Sequence, residues 1–92
     1  MANFDLSPVL RQFLDLTARS SREFIGKELY VSIRRRYQWS QSLVLYPEDG
    51  YNFMTMHEVQ FILNAANALY LSFSFRVENG LPVIEVTEYF KV

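Results

Sequence analysis

Apolar positions recur along this chain with two different periods, and each change of period marks a new element. Leu6, Val9, Leu10, Phe13, Leu14 and Leu16 fall at helical spacing. Ser7-Pro8 starts that helix. Ser supplies an N-cap acceptor, and Pro suits the first helical position because its missing N–H would have no partner there. Arg11, Asp15 and Arg19 lie four apart on the opposite face and can pair weakly. The pattern predicts a helix through Phe24 and Ile25 to Gly26, a suitable C′ residue, with Ser20-Ser21 as a place where it could break in two.

From 28 to 38 the period drops to two, the signature of a strand. Strict alternation puts Leu29, Val31 and Ile33 on one face and Tyr30, Ser32, Arg34 and Arg36 on the other. Tyr37 and Trp39 fall on the Leu29 face and are expected to pack under the sheet edge. Gln38 to Gln41 is read as a turn, although it lacks Gly and Pro. Ser42 to Tyr46 is a short apolar strand, and Pro47-Glu48-Asp49-Gly50 is a turn cluster.

The second half carries the strongest local signals. Thr55 and Glu58 form a T-x-x-E capping box, and Met54 and Val59 stand where a hydrophobic staple belongs. A helix is expected from about Met56 to Ala68. Leu71-Ser72-Phe73-Ser74-Phe75-Arg76-Val77 alternates as a strand, Asn79-Gly80 supplies a two-residue hairpin turn, and a second strand runs from Pro82 to about Phe90. A two-residue loop sets Glu78 opposite Leu81, Phe75 opposite Ile84 and Phe73 opposite Val86, which is expected to be the core face. The other face then pairs Arg76 with Val83, Ser74 with Glu85, Ser72 with Thr87 and Tyr70 with Tyr89, and is expected to meet solvent. Pro82 cannot donate to a ladder, so its strand is expected at a sheet edge.

The element order is α-β-β-α-β-β. It predicts a two-layer α+β fold: a four-stranded, mainly antiparallel sheet with both helices on one face. Residues 1 to 92 suffice for one domain. So short a chain buries a limited share of its surface, and a homo-oligomer would be a natural way to cover more.

Composition narrows the chemistry. There is no Cys, which removes thiol catalysis, Cys-based zinc sites and a disulfide scaffold. The N-terminus lacks the basic and apolar regions of a signal peptide, and no apolar run approaches the roughly 20 residues that span a bilayer. The cytoplasm is the expected compartment, with no membrane partner. A net charge of −1 argues against non-specific nucleic-acid binding. The cations are nevertheless skewed, seven Arg to two Lys, which favours planar, bidentate contacts at an interface.

No catalytic constellation emerges. His57 is the only His, and its neighbour Glu58 cannot face it on a helix. Gly26, Gly50 and Gly80 are too dispersed for a phosphate-cradling loop. Glu48-Asp49-Gly50 lacks the spacing of a calcium loop, and Glu85 and Glu88 fall on opposite strand faces. No enzyme activity, metal or cofactor is expected.

Two surfaces stand out instead. Tyr30, Arg34, Arg36, Tyr70, Arg76 and Tyr89 are expected to share the solvent face of the sheet, and Tyr and Arg are enriched at binding hot spots. His57, Gln60, Asn64 and Asn67 form an uncharged stripe on the second helix, flanked by Phe61 and Ala65, and make a secondary interface. The expected function is a small non-catalytic protein-binding domain, an adaptor or a steric inhibitor of a larger protein. Small single-domain inhibitors are often carried by phages and mobile elements, an expectation from size and the lack of motifs and not from any residue. The alternative is an RNA- or DNA-binding module that stacks bases and neutralises phosphates on the same Arg/Tyr face.

Overall fold

Two capped helices and two hairpins account for the architecture. The computed structural model describes residues 6–29 and 31–90. Helix α1 (Pro8–Phe24) starts where Ser7 Oγ accepts from the Leu10 N–H at 3.1 Å. It continues unbroken through Ser20 and Ser21. Its buried stripe is Leu10, Phe13, Thr17 and Ser21. Thr17 Oγ1 donates to the Phe13 carbonyl at 2.9 Å, so that hydroxyl is satisfied on its own helix and can be buried. At Gly26 (φ +77°) the chain turns away, and the N–H groups of Ile25 and Gly26 both return to the Ser21 carbonyl.

Helix α2 (Met56–Ala68) carries the full capping box: Thr55 Oγ1 accepts from the Glu58 N–H at 3.1 Å, and the Glu58 carboxylate accepts from the Thr55 N–H at 3.0 Å. Met54 and Val59 both pack on the main core, as a staple requires.

The strands are β1 (Val31–Tyr37), β2 (Ser40–Leu45), β3 (Ser72–Glu78) and β4 (Leu81–Tyr89). They form one antiparallel sheet in the order β1-β2-β4-β3. Leu10 and Phe13 of α1 and Ile62, Ala65 and Ala66 of α2 bury against Leu43, Leu45, Ile84 and Val86 of the two central strands. The Ser7 N–H donates to Gln41 Oε1 at 2.5 Å and fastens the start of α1 to β2. The fold is therefore the expected two-layer α+β arrangement. The last hairpin has the expected register, Glu78 opposite Leu81 and Phe75 opposite Ile84, with Asn79 and Gly80 both at positive φ as a type I′ turn demands.

Six expectations about strand positions and faces need correction. Pro82 does not mark an edge, because β4 lies inside the sheet. The β2 pairing ends at Leu45 opposite Ile84, so Pro82 sits past the reach of β2, where a missing donor costs no ladder bond. The edge is β3 instead. Phe73 and Phe75 share the helix side with Val86 and Ile84 but stay largely exposed, because the helices cover the central strands and not the edge.

The supposed solvent face is partly closed. Val44, Tyr46 and Val83 bury together on it, with Leu81 against them. A twisted sheet can curl towards one face, and here ionic side chains from β1 and β3 meet across that face.

In β1 a bulge between Val31 and Ile33 reverses the alternation that follows. Val31 is opposite Leu45, as expected for the core side. Beyond the bulge Arg34 is opposite Leu43 and Arg36 opposite Gln41, so both arginines fall on the helix side, and Arg35 joins Ser42 on the other. Tyr37 and Trp39 do not pack under the sheet edge; both are more than half exposed. Tyr70 is not paired with Tyr89. It occupies the left-handed residue that ends α2.

Candidate protein-binding surfaces

The six residues expected on one Arg/Tyr face are dispersed. Tyr30 lies outside the described residues. Arg76 is on the opposite side of the sheet from Arg34 and Arg36, held by Glu85 at 2.8 Å and by Glu78 at 3.1 Å. Tyr70 lies at the end of α2, away from the sheet pairing, and is 96% exposed. Arg34 and Arg36 share the helix side of β1, and Tyr89 lies on the other side of the sheet, at the end where β1 turns into β2.

That end gathers further aromatic side chains. Gln38 and Trp39 form the two-residue turn between β1 and β2. Tyr37 is opposite Ser40, and Ser40 is opposite Tyr89, so the two tyrosines flank one small residue on the same side of the sheet. Tyr37, Trp39 and Tyr89 are 58%, 53% and 67% exposed. The Arg36 guanidinium stacks over the Phe90 ring at 5.0 Å, and the Phe90 N–H donates to the Trp39 carbonyl at 2.8 Å, tying the chain after β4 to the hairpin tip. Arg36 is thereby held by an aromatic ring rather than by a carboxylate, so its donors stay available. Alternation read through an unseen bulge hid Tyr37 from the sequence reading. Trp39 could have been found there, since the tip of a two-residue hairpin has no layer to pack beneath.

The helix stripe lies on an exposed face of α2. His57, Gln60, Asn64 and Asn67 all face outwards. The first three, with Phe61, line a groove of about 410 Å³ between α2 and the C-terminal half of α1, where Leu16, Phe24 and Ile25 form the other wall. Phe24 and Phe61 meet there with ring centroids 6.1 Å apart. The face of α2 that is buried runs through Glu58, Ile62, Ala65 and Ala66.

Nothing in the described residues assembles three or more His, Cys, Asp or Glu groups into a possible metal site. No described helix is long and apolar enough to cross a membrane. Comparison of the chain with protein-family models, curated proteins and solved structures finds no match.

Proposed function

We propose that this chain is a non-catalytic protein-binding domain, an adaptor or steric inhibitor acting in the cytoplasm, and that the Arg36–Tyr37–Trp39–Tyr89 end of the sheet is its contact surface. One observation carries this reading: three large aromatic side chains, each more than half exposed, gather at one end of the sheet, and the opposite face of that end carries Arg36, whose donors are free of any ion pair among the described residues. Trp, Tyr and Arg dominate interface hot spots because each offers a large contact area with directed polar groups. Strand pairing fixes the backbone that carries Tyr37 and Tyr89, and the Phe90 ring holds Arg36, which lowers the ordering cost of binding. The mechanism is steric: a rigid, pre-formed surface occupies a site on a larger protein. The α1–α2 groove is the secondary contact.

The nucleic-acid alternative is weaker on this geometry. Glu78 and Glu85 neutralise Arg35 and Arg76, so Arg34 and Arg36 alone of the sheet arginines are left for phosphates. Affinity capture from nuclease-treated lysate of the source cells tests the two, using wild type and Arg36→Ala/Trp39→Ala as baits. The expected result is a discrete protein, retained after nuclease and lost with the variant. Material that disappears with nuclease treatment replaces this reading with the nucleic-acid one.

A further inference from the structure

We propose that β3 is the seam of a symmetric dimer, in which two copies of this chain pair their β3 strands antiparallel and join their four-stranded sheets into one. The edge is open along its length: every residue from Ser72 to Val77 is exposed.

Its free backbone groups can be assigned. Glu78 and Leu81 flank the two-residue turn and exchange hydrogen bonds. Alternation then turns the N–H and C=O of Arg76, Ser74 and Ser72 inwards to β4. Those of Val77, Phe75 and Phe73 point outwards, where only another strand can satisfy them in register.

The side chains of those same three residues form an apolar ridge. Phe73, Phe75 and Val77 are 37%, 58% and 72% exposed, and the two phenyl rings meet edge to face at 6.0 Å. The opposite sheet edge is protected by the β1 bulge and by Arg34, Arg35 and Arg36. Strand β3 has no bulge, no Pro and one cation, Arg76, already engaged by Glu78 and Glu85. Proteins that remain monomeric rarely leave such an edge undefended.

A second copy fits this edge by its own complementarity. With the two-fold axis at Ser74, Phe73 of each copy lies opposite Phe75 of the second copy, and Ser74 opposite Ser74. Arg76 then lies opposite Ser72, and no like charges meet. Centring on Phe75 instead brings the two Arg76 side chains onto a diagonal, and centring on Arg76 opposes them directly, which is destabilising. The axis is normal to the sheet, so both helical layers stay on one side. The four phenyl rings fill the trough between them.

The test uses mass and a cross-link. Wild type should show twice the 10.9 kDa chain mass by light scattering across the micromolar range. Phe75→Lys should halve that mass while keeping the wild-type circular dichroism spectrum. Because the chain has no Cys, a single thiol reports the register. At a non-hydrogen-bonded pair the two Ser74 Cα atoms would be ~4.5 Å apart, within disulfide range. Ser74→Cys with oxidised glutathione should therefore give a covalent dimer, and Ser72→Cys, opposite Arg76, should not. A wild-type mass of one chain throughout overturns the proposal, as does equal cross-linking of both cysteine variants. So does a chain that is monomeric alone and uses this edge only for a strand of a different protein.

Discussion

Arg35 and Glu78 form an ion pair although they belong to β1 and β3, strands at opposite edges of the sheet. Their side chains are only 23% and 20% exposed. Glu78 also receives Arg76, Arg76 reaches Glu85, and Glu85 accepts the Ser42 hydroxyl. The chain of contacts touches all four strands and spans the face on which Val44, Tyr46 and Val83 are buried. It holds the curl of the sheet by side chains where no backbone ladder can.

A double-mutant cycle measures that link. Arg35→Ala and Glu78→Ala should each destabilise the protein in urea unfolding, and the pair should lose less than the sum, with a coupling of about 1 kcal/mol. Strictly additive losses would mean that the two side chains do not support each other in solution.

Tyr70 has a strained backbone. It holds φ at 57° and is 96% exposed. The Leu71 N–H returns to the Ala66 carbonyl at 2.9 Å and the Tyr70 N–H to the Asn67 carbonyl at 3.1 Å, a Schellman end to α2 with Tyr where Gly is usual. Tyr70→Gly should therefore stabilise the protein by about 1 kcal/mol, seen as a melting temperature higher by several degrees. An unchanged or lower melting temperature would show that the ring contributes packing which offsets the strain.

Thr55 closes the other end of the same helix. Thr55→Ala removes the acceptor for the Glu58 N–H while leaving Glu58 buried. The expected loss is about 1 kcal/mol in chemical denaturation. Thr55→Ser should retain most of the cap, because the hydroxyl is what the N–H needs.

Lys27 bridges the segment after α1 to the segment that leads into α2. Its Nζ lies 2.5 Å from Glu48 and 3.6 Å from Glu58, with the Tyr51 ring at 5.6 Å. The hydrogen bond to Glu48 raises its pKa above the ordinary 10.5, with partial burial opposing and Glu58 adding to the rise. A raised folded-state pKa means that the stabilisation is complete below the ordinary lysine value and is lost as pH climbs through the folded one. The stability difference between wild type and Lys27→Met should stay level from neutral pH to about 10 and shrink above it. A difference that changes between pH 6 and 9 would point to another titrating group.

Local chemistry made much of this fold legible from the residues alone. The Ser7 and Thr55 caps, the Asn79-Gly80 turn and the register of Ser72–Glu78 against Leu81–Thr87 each depend on groups within a few residues of one another, so the chain specifies them without knowing its neighbours. The helix stripe around Gln60 and Asn64 was legible for the same reason, because its spacing is set by one helix.

Tertiary structure decided the rest. Strand order placed β4 inside and β3 outside, which exposed Phe73 and Phe75 despite an alternation that reads as core. One extra residue in β1 moved Arg34 and Arg36 to the helix side and turned Tyr37 outwards. Burial depends on which layer covers a strand, and a bulge depends on the partner strand it faces. Period two cannot carry either piece of information, because it records that a residue alternates and not what lies above it.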